Sequence, residues 1–319
     1  METVIRNNRI SSGTDATTQT LTKSTGPDSY NWGLSVNADD HYPFLISIPH
    51  GGTVVPSEVQ ERIALSPAEL AWYCDPATRV LYDFGDAVAA TISTPVSRMV
   101  IDLNRPPLPL PPKDPDGIIK TRTIDGRQVY LPGKIPDLAL IHRWMVRWYF
   151  PYHQRIDELI DTYPIRIAFD CHSMLPQGSQ EQNDAGKERP LICLGNYGDA
   201  RGKARPGSIT TCPQEWIARL AQEFGKEFPD RGNVALNTPF SGGFISNAHY
   251  WRKGIPWIQI EVNRSLYEDP YPAGNSDAGN ERISALRERI WQVLVRFWEG
   301  LPADLPESSR AASEKEVPL

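Results

Sequence analysis

Residues 165–172 read Ile-Arg-Ile-Ala-Phe-Asp-Cys-His, and residues 44–50 read Phe-Leu-Ile-Ser-Ile-Pro-His. Both are short apolar runs of the length of a buried strand, and each one ends in a histidine. In an α/β protein the carboxyl ends of parallel strands meet at one edge of the sheet, which is where ligands bind. We therefore predict that His50 and His172 are two ligands of a metal ion at this edge. A buried structural histidine is the alternative for each.

A third apolar run alternates in character from one residue to the next. Residues 255–264 read Ile-Pro-Trp-Ile-Gln-Ile-Glu-Val-Asn-Arg. In a strand this alternation puts Gln259, Glu261 and Asn263 together on one face, opposite the aliphatic side chains between them. Two imidazoles and a carboxylate carried on a strand indicate a metallohydrolase.

Composition narrows the class of protein. The 319 residues are 40% hydrophobic, which is enough for a buried core, and the net charge is −6. Because this charge gives no basic field, nucleic acid is not expected as a partner. The sequence lacks an apolar stretch of roughly 20 residues, so no membrane association is expected. Four cysteines without CxxC spacing predict free thiols and a cytoplasmic enzyme, whose oligomeric state stays open.

The order of the predicted elements indicates the fold class. Strands alternate with helices between a polar N-terminal extension, residues 1–40, and a flexible C-terminal tail, residues 301–319. We predict one domain over residues 41–300, an α/β fold of three layers (α/β/α) with a mixed, mostly parallel central sheet. The predicted strands are 44–49, 96–102, 165–171, 191–196, 233–236 and 256–262, and the predicted helices are 67–90, 137–161, 213–228 and 280–299.

Local signals refine these boundaries. Residues 66–69, Ser-Pro-Ala-Glu, form a capping box that begins a helix. Pro151 should divide the helix predicted over 137–161. The proline-rich stretch 106–133 is predicted to be a long loop that lines a site. An apolar stripe is expected to pack the last helix against the sheet. Its members are Ile283, Leu286, Ile290, Leu294 and Phe297.

Five short blocks, taken in order, carry a resemblance to a known family. They are Ile-Pro-His-Gly-Gly at 48–52, Asp-Leu-Asn-Arg-Pro-Pro at 102–107, Asp-Cys-His-Ser-Met at 170–174, Phe-Ser-Gly-Gly-Phe at 240–244 and Ile-Glu-Val-Asn-Arg-Ser-Leu-Tyr at 260–267. Together they resemble the N-formylglutamate amidohydrolase family over residues 43 to about 270. The resemblance implies a fold similar to the zinc carboxypeptidases (zinc-exopeptidase, phosphorylase/hydrolase-like). It also implies hydrolysis of an N-formyl amide with Zn²⁺ or another divalent metal such as Co²⁺.

The resemblance also implies a third metal ligand. Members of the family carry an acidic residue at the start of a helix after the first histidine block, and Asp75 aligns with it. Asp75 has an alternative role as the N-cap of a helix opened by Pro76. Cys74 and Arg79 stand where relatives tend to have further acids. Asp170 is predicted either to accept the other ring N–H of His172 or to form a salt bridge at the strand end.

Catalytic and binding roles follow for several other residues. Glu261 is assigned as the general base, with an ion pair to Arg264 or another basic residue as the alternative. A small anionic substrate with two carboxylates calls for guanidinium groups, and Arg105 and Arg264 are the candidates. Asn104 is expected to donate a hydrogen bond to a carboxylate or an oxyanion.

His249 and a glycine pair complete the predicted site. His249 is expected either to stabilise the oxyanion or to be an ordinary surface-loop histidine. The family usually reads Arg-His-Tyr there, whereas Asn247 and Ala248 precede His249 here, which leaves strict glutamate specificity open. Gly242 and Gly243 should let the backbone approach the substrate closely. The expected reaction is hydrolysis of N-formyl-L-glutamate. The alternatives are hydrolysis of another N-acyl amino acid or small amide, or ligand binding without catalysis. Three further histidines are expected to be structural, His41, His142 and His153.

Overall fold

The apolar runs of the sequence form the central strands of a sheet. The computed structural model describes residues 33–36, 41–230, 232–268 and 277–302. Within these residues the sheet has seven strands, β1 (Gly33–Val36), β2 (Tyr42–Ile48), β3 (Val88–Ser93), β4 (Ile167–Met174), β5 (Ile192–Gly195), β6 (Val234–Leu236) and β7 (Trp257–Asn263). The α-helices are α1 (Ser57–Gln60), α2 (Pro67–Trp72), α3 (Thr78–Leu81), α4 (Leu138–Trp144), α5 (Phe150–Thr162), α6 (Gln214–Glu227), α7 (Phe244–Lys253) and α8 (Asp277–Glu299).

The strand order places the three predicted site strands side by side. The order across the sheet is β1-β3-β2-β4-β7-β5-β6. The pair β1 and β3 and the pair β5 and β7 are antiparallel, and the other four pairs are parallel. The predicted mixed, mostly parallel sheet is therefore confirmed. Since β2, β4 and β7 are parallel neighbours, their carboxyl ends meet at one edge.

Helices cover both faces of this sheet. One face packs against α4, α5 and α7, with Trp144, Tyr152 and Ile245 buried there. The opposite face packs against α3, α6 and α8. All five residues of the predicted stripe of α8 are buried in the core on this side of the sheet. The three-layer α/β/α architecture is confirmed.

Two of the predicted elements are wrong. Helices were predicted over 67–90. The first begins as predicted, since Ser66 and Glu69 form the capping box, and a second, α3, follows at Thr78–Leu81, but residues 88–93 are strand β3. The two alanines of β3 would also suit a helix, but the segment is hydrogen-bonded between β1 and β2 as a strand of the sheet. The strand predicted over 96–102 is a buried turn. Its apolar side chains pack into the core, while the N–H groups of Val100 and Ile101 bond back to the carbonyl of Ser97.

The helix before β4 is divided, as the proline predicted. Helix α4 is followed by a π-helical segment, Met145–Tyr149, and α5 then carries Pro151 in its first turn. Proline has no N–H to donate and crowds the carbonyl four residues earlier, and a wider turn relieves both problems. The preceding segment 94–136 contains no helix or strand in the described structure apart from isolated bridges. The long loop predicted at 106–133 is thus confirmed.

The termini and the remaining sequence predictions are resolved in part. Gly33–Val36, inside the predicted extension 1–40, is an edge strand of the sheet. Residues 1–32, 37–40 and 303–319 lie outside the described residues, so the extension and the tail are otherwise not described.

All four cysteines are buried free thiols. None of the described helices combines the length and apolar character needed to cross a membrane.

Candidate metal centre

Three side chains converge at the carboxyl edge of β2 and β4. His50 follows β2, His172 lies near the end of β4, and Asp75 precedes α3. The two Nδ1 atoms are 3.1 Å apart, and Asp75 Oδ2 is 3.7 Å from each of them. Ligands bound tetrahedrally to zinc at about 2.0–2.1 Å stand about 3.3 Å from one another. The triangle therefore has the size that a single cation requires, and all three residues are buried.

Both imidazole rings are oriented by a carboxylate behind them. His50 Nε2 lies 2.7 Å from Asp102 Oδ1, and His172 Nε2 lies 3.1 Å from Asp170 Oδ2. With Nε2–H donated to a carboxylate, the lone pair of each Nδ1 is directed at the centre of the triangle. Asp170 thus contacts the second ring nitrogen of His172 as the first of its two predicted roles requires. Asp102 was missed as a partner of His50, although its position after the buried run 96–101 signals a buried carboxylate.

Asp75 lies with the two histidines, where it could bind a metal ion, and it does not cap helix α3. Helix α3 begins at Thr78, its N-cap residue is Ala77, and no side chain caps it. The Asp75 carboxylate instead offers Oδ2 to the histidines, while Oδ1 accepts a 2.8 Å hydrogen bond from Arg264 Nη2. Burial opposes ionisation, but the two histidines and Arg264 hold the pKa of Asp75 well below its usual range. An ionised carboxylate is the form that binds a cation.

The two imidazoles share one proton when no metal is bound. Burial lowers the pKa of His50, whereas the Asp170 carboxylate raises the pKa of His172 well above its usual value despite burial. His172 then donates Nδ1–H to the free lone pair of His50 Nδ1 across the 3.1 Å contact. This proton places positive charge among the two Nδ1 atoms and the Asp75 carboxylate, which is where a bound cation would lie. The donor set therefore fits a divalent metal ion.

Glu261 stands beside the triangle on the neighbouring strand. Strand β7 pairs with β4 so that Glu261 is opposite His172. Gln259 Nε2 donates a 2.8 Å hydrogen bond to Glu261 Oε1, which fixes the carboxylate. Burial raises the pKa of Glu261 to about 7, although the His172 charge opposes the shift. The ion pair considered as the alternative is not formed within the described residues, where Arg264 pairs with Asp75 and no other basic side chain pairs with Glu261.

A cavity of about 290 Å³ opens over these groups. It is lined by the triangle, by Glu261 and by all five residues predicted to bind substrate. The five residues are Asn104, Arg105, Gly242, Gly243 and Arg264. We call this cavity the site cavity. The volume of the site cavity is at the lower end of the range for small-molecule sites, which is appropriate for an amino-acid derivative.

The residues predicted to bind substrate differ in how many of their hydrogen-bonding groups remain unpaired. Asn104 is fixed by the protein, since Nδ2 donates to Asp170 Oδ2 at 2.8 Å and Oδ1 accepts from Ile245 N at 2.8 Å. Arg264 supports Asp75 and also donates to Ser173 Oγ and to the carbonyls of Trp72 and Cys74. Arg264 therefore positions Asp75, and its guanidinium donors are not available to bind a carboxylate of the substrate.

Arg105 is more available than Arg264. Its Nε and Nη2 donate to the carbonyl and the carboxylate of Asp116 at 2.9 and 2.8 Å. Its Nη1 has one long contact, 3.5 Å, to the carbonyl of Asn104. One edge of this guanidinium can thus still donate to a ligand.

The glycine pair makes room for protein side chains. A Cβ at Gly243 would lie 2.2 Å from Asn104 Nδ2, and one at Gly242 would lie 2.4 Å from the ring of Tyr197. Gly242 also has a φ of +142°, which side chains disfavour. The close approach predicted for the substrate is therefore already made by Asn104 and Tyr197.

Comparisons with known proteins agree with this geometry. The family model of N-formylglutamate amidohydrolase matches residues 42–268. The chain belongs to the N-formylglutamate amidohydrolase family. It is 33% identical over 270 residues to an N-formylglutamate deformylase of Pseudomonas aeruginosa, which covers 79% of this chain and 93% of the relative. A Pseudomonas putida N-formylglutamate deformylase is 28% identical over 268 residues, covering 80% and 93%.

A solved structure shares the fold. The crystal structure of an N-formylglutamate amidohydrolase from Ralstonia eutropha has a TM-score of 0.65 to this protein at 20% identity. It covers 85% of this chain and 99% of that one. The three-layer arrangement is thus the architecture of a known N-formylglutamate amidohydrolase.

His249 is not brought to the site cavity, which corrects its predicted role at the oxyanion. It lies in α7, is buried, and does not line the cavity. Its Nδ1 is 2.8 Å from Asp157 Oδ1, and its Nε2 is 3.0 Å from His153 Nδ1. With both ring nitrogens engaged, His249 joins α7 to α5 and is neither an oxyanion group nor a surface-loop residue. His153, predicted to be structural, is its partner.

Departures from the family pattern also lie outside the cavity. Arg79 is exposed and Cys74 is buried against Ser97, and neither lines the site cavity. The same holds for Asn247 and Ala248 on α7. These four positions therefore contribute no side chain to the described lining of the site cavity.

Proposed function

We propose that this protein is a metal-dependent amidohydrolase that converts N-formyl-L-glutamate and water to formate and L-glutamate. Family membership and two relatives named N-formylglutamate deformylase support the substrate. The observation that carries the metal dependence is the triangle of His50 Nδ1, His172 Nδ1 and Asp75 Oδ2, with sides of 3.1, 3.7 and 3.7 Å. It faces the same cavity as Glu261.

The cation proposed for this triangle is Zn²⁺. Two imidazoles and one carboxylate form the ligand set of several catalytic zinc sites, in which a fourth position is left open for water or substrate. When bound, the ion supplies a Lewis acid that polarises the formyl carbonyl and acidifies water. Co²⁺ suits the same ligands and is the natural substitute in a reconstitution experiment.

Glu261 is proposed to carry the proton through the reaction. A carboxylate with a pKa of about 7 is effective both as a base and, once protonated, as an acid near neutral pH. Glu261 takes a proton from the water whose oxygen attacks the formyl carbon. As the C–N bond breaks, Glu261 returns that proton to the nitrogen, which leaves as the amine of glutamate. The hydrogen bond from Gln259 holds the carboxylate in place for both transfers.

The substrate carries two carboxylates, and the cavity offers guanidinium groups for them. Arg105 keeps one edge of its guanidinium free and is proposed to hold the α-carboxylate. Arg264 is already engaged with Asp75, so its effect on the substrate is through the third metal ligand.

Formate release from N-formyl-L-glutamate tests the proposal. We expect turnover that a chelator abolishes and that added Zn²⁺ or Co²⁺ restores. Glu261→Gln should keep metal binding and lose about 10²–10⁴-fold in kcat. Glu223→Gln changes a buried glutamate of α6 outside the site cavity and is the matched control. Absence of turnover at full metal occupancy would reject the substrate, and an active Glu261→Gln protein would reject the base.

A further inference from the structure

The site cavity is lined by six cationic side chains. They are Arg98, Arg105, Lys120, Arg122, Arg189 and Arg264. Five of them are paired with a carboxylate. Arg98 and Lys120 pair with Asp102, Arg105 pairs with Asp116, Arg189 pairs with Asp184, and Arg264 pairs with Asp75. These five charges are largely neutralised by the protein.

Arg122 is the exception among the cations that line the described cavity. Its guanidinium makes no hydrogen bond or ion pair with the described residues, and its side chain is exposed. The backbone that carries it is nevertheless held. Arg122 N donates to the carbonyl of Pro115 at 3.3 Å, Thr121 N donates to the same oxygen at 2.9 Å, and Arg122 forms a bridge with Gln128. A fixed backbone thus presents an uncommitted guanidinium at the cavity.

We propose that Arg122 determines specificity by binding the side-chain carboxylate of the substrate. This inference rests on the proposed function and names the residue that distinguishes a glutamate from a neutral side chain. A guanidinium with all of its donors unpaired can form the two parallel hydrogen bonds that a carboxylate accepts. Of the paired cations, Arg105 keeps one edge of its guanidinium available, and the other four would have to break an existing ion pair to do the same. Arg105 then holds the α-carboxylate, and Arg122 holds the distal one.

The same loop provides a matched control. Arg127 lies five residues further along, is exposed, and does not line the site cavity. Its Nη2 is 2.7 Å from Glu69 Oε1 on α2. Replacing Arg127 therefore removes one positive charge from the same loop without removing a group from the cavity.

The proposal is tested with N-formyl-L-glutamate and N-formyl-L-glutamine, which differ only in the distal charge. The preference for the glutamate compound, as the ratio of the two kcat/KM values, should fall about 10–100-fold in Arg122→Gln, mainly through KM. Arg127→Gln should retain the wild-type ratio. An unchanged ratio in Arg122→Gln, or an equal fall in both variants, would overturn the assignment.

A binding measurement separates this inference from the proposed reaction. Glutarate, a dicarboxylate that cannot be hydrolysed, is titrated calorimetrically into the zinc-loaded full-length proteins. Arg122→Gln should bind glutarate about 10-fold more weakly than the wild type and Arg127→Gln. Equal binding, or no binding by the wild type, counts against Arg122. If the wild type binds glutarate but does not release formate from N-formyl-L-glutamate, the reaction is rejected while Arg122 is still supported.

Discussion

Asp170 Oδ2 lies 3.1 Å from Nε2 of His172, and this contact directs the other ring nitrogen at His50 and Asp75. The same carboxylate oxygen accepts a hydrogen bond from Asn104, so Asp170 connects the triangle of His50, His172 and Asp75 to a residue that lines the site cavity. The carboxylate both fixes the ring orientation and raises the pKa of His172. A neutral amide at position 170 would do neither as well.

We therefore expect Asp170→Asn to weaken metal binding about 10–100-fold while the protein remains folded. Competition with a chromogenic chelator measures the affinity. Asp157→Asn is the control, because Asp157 also accepts a hydrogen bond from a histidine, His249, but outside the cavity. Metal affinity in Asp170→Asn equal to that of Asp157→Asn would contradict the role of the carboxylate.

Metal binding should release one proton in the neutral pH range. The pKa of His172 is raised well above 6.5, so the metal-free protein holds a proton between the two Nδ1 atoms that the cation must displace. Lower pH therefore weakens binding, by about 10-fold for each pH unit below that pKa. Calorimetric titration in buffers of different ionisation enthalpy counts the protons. Binding with no proton release would show that the rings are not protonated as proposed.

Arg264→Met should destabilise the metal-free protein by about 3 kcal/mol, because it removes the guanidinium that pairs with the buried Asp75 carboxylate and leaves only the histidine proton beside it. Urea unfolding in the presence of a chelator gives the free energy of unfolding. Arg252→Met is the comparison, since Arg252 is exposed and its contact with Asp157 is at the surface. Similar losses in the two variants would mean that Arg264 is not needed to neutralise Asp75.

Gly243→Ala should lower activity and stability together. Its Cβ would lie 2.2 Å from Asn104 Nδ2, and Asn104 cannot move without losing its bonds to Asp170 and Ile245. Overpacking of this kind costs about 1–3 kcal/mol. In α6, Gly225→Ala meets no atom within 4 Å and should raise the melting temperature. Thermal unfolding and formate release measure both effects, and an active, stable Gly243→Ala protein would refute the tight fit.

The central strands and the groups at their carboxyl ends were predictable from residue patterns. His50, His172 and Glu261 follow from two apolar runs and one alternating run, because parallel neighbouring strands bring such ends together. Strand β3 was not predictable in this way. Its alanines suit a helix as well as a strand, and only its position between β1 and β2 decides.

Residues outside regular elements were harder to place. Asp75 was found through the family resemblance, since the segment between α2 and α3 has no periodicity. Arg122 lies on a loop whose path depends on tertiary contacts, so no sequence pattern points to it. His249 was misplaced because the pattern of α7 does not reveal that this helix packs its histidine against α5.

His50 and His172 are separated by 122 residues in the chain, yet their Nδ1 atoms are 3.1 Å apart. Contacts of such high sequence separation form slowly, because a long loop must close before any stabilising interaction is gained. A cation bound as proposed would meet its full set of ligands only after β2 and β4 have paired. Metal supply should therefore alter the unfolding rate of this protein much more than its folding rate.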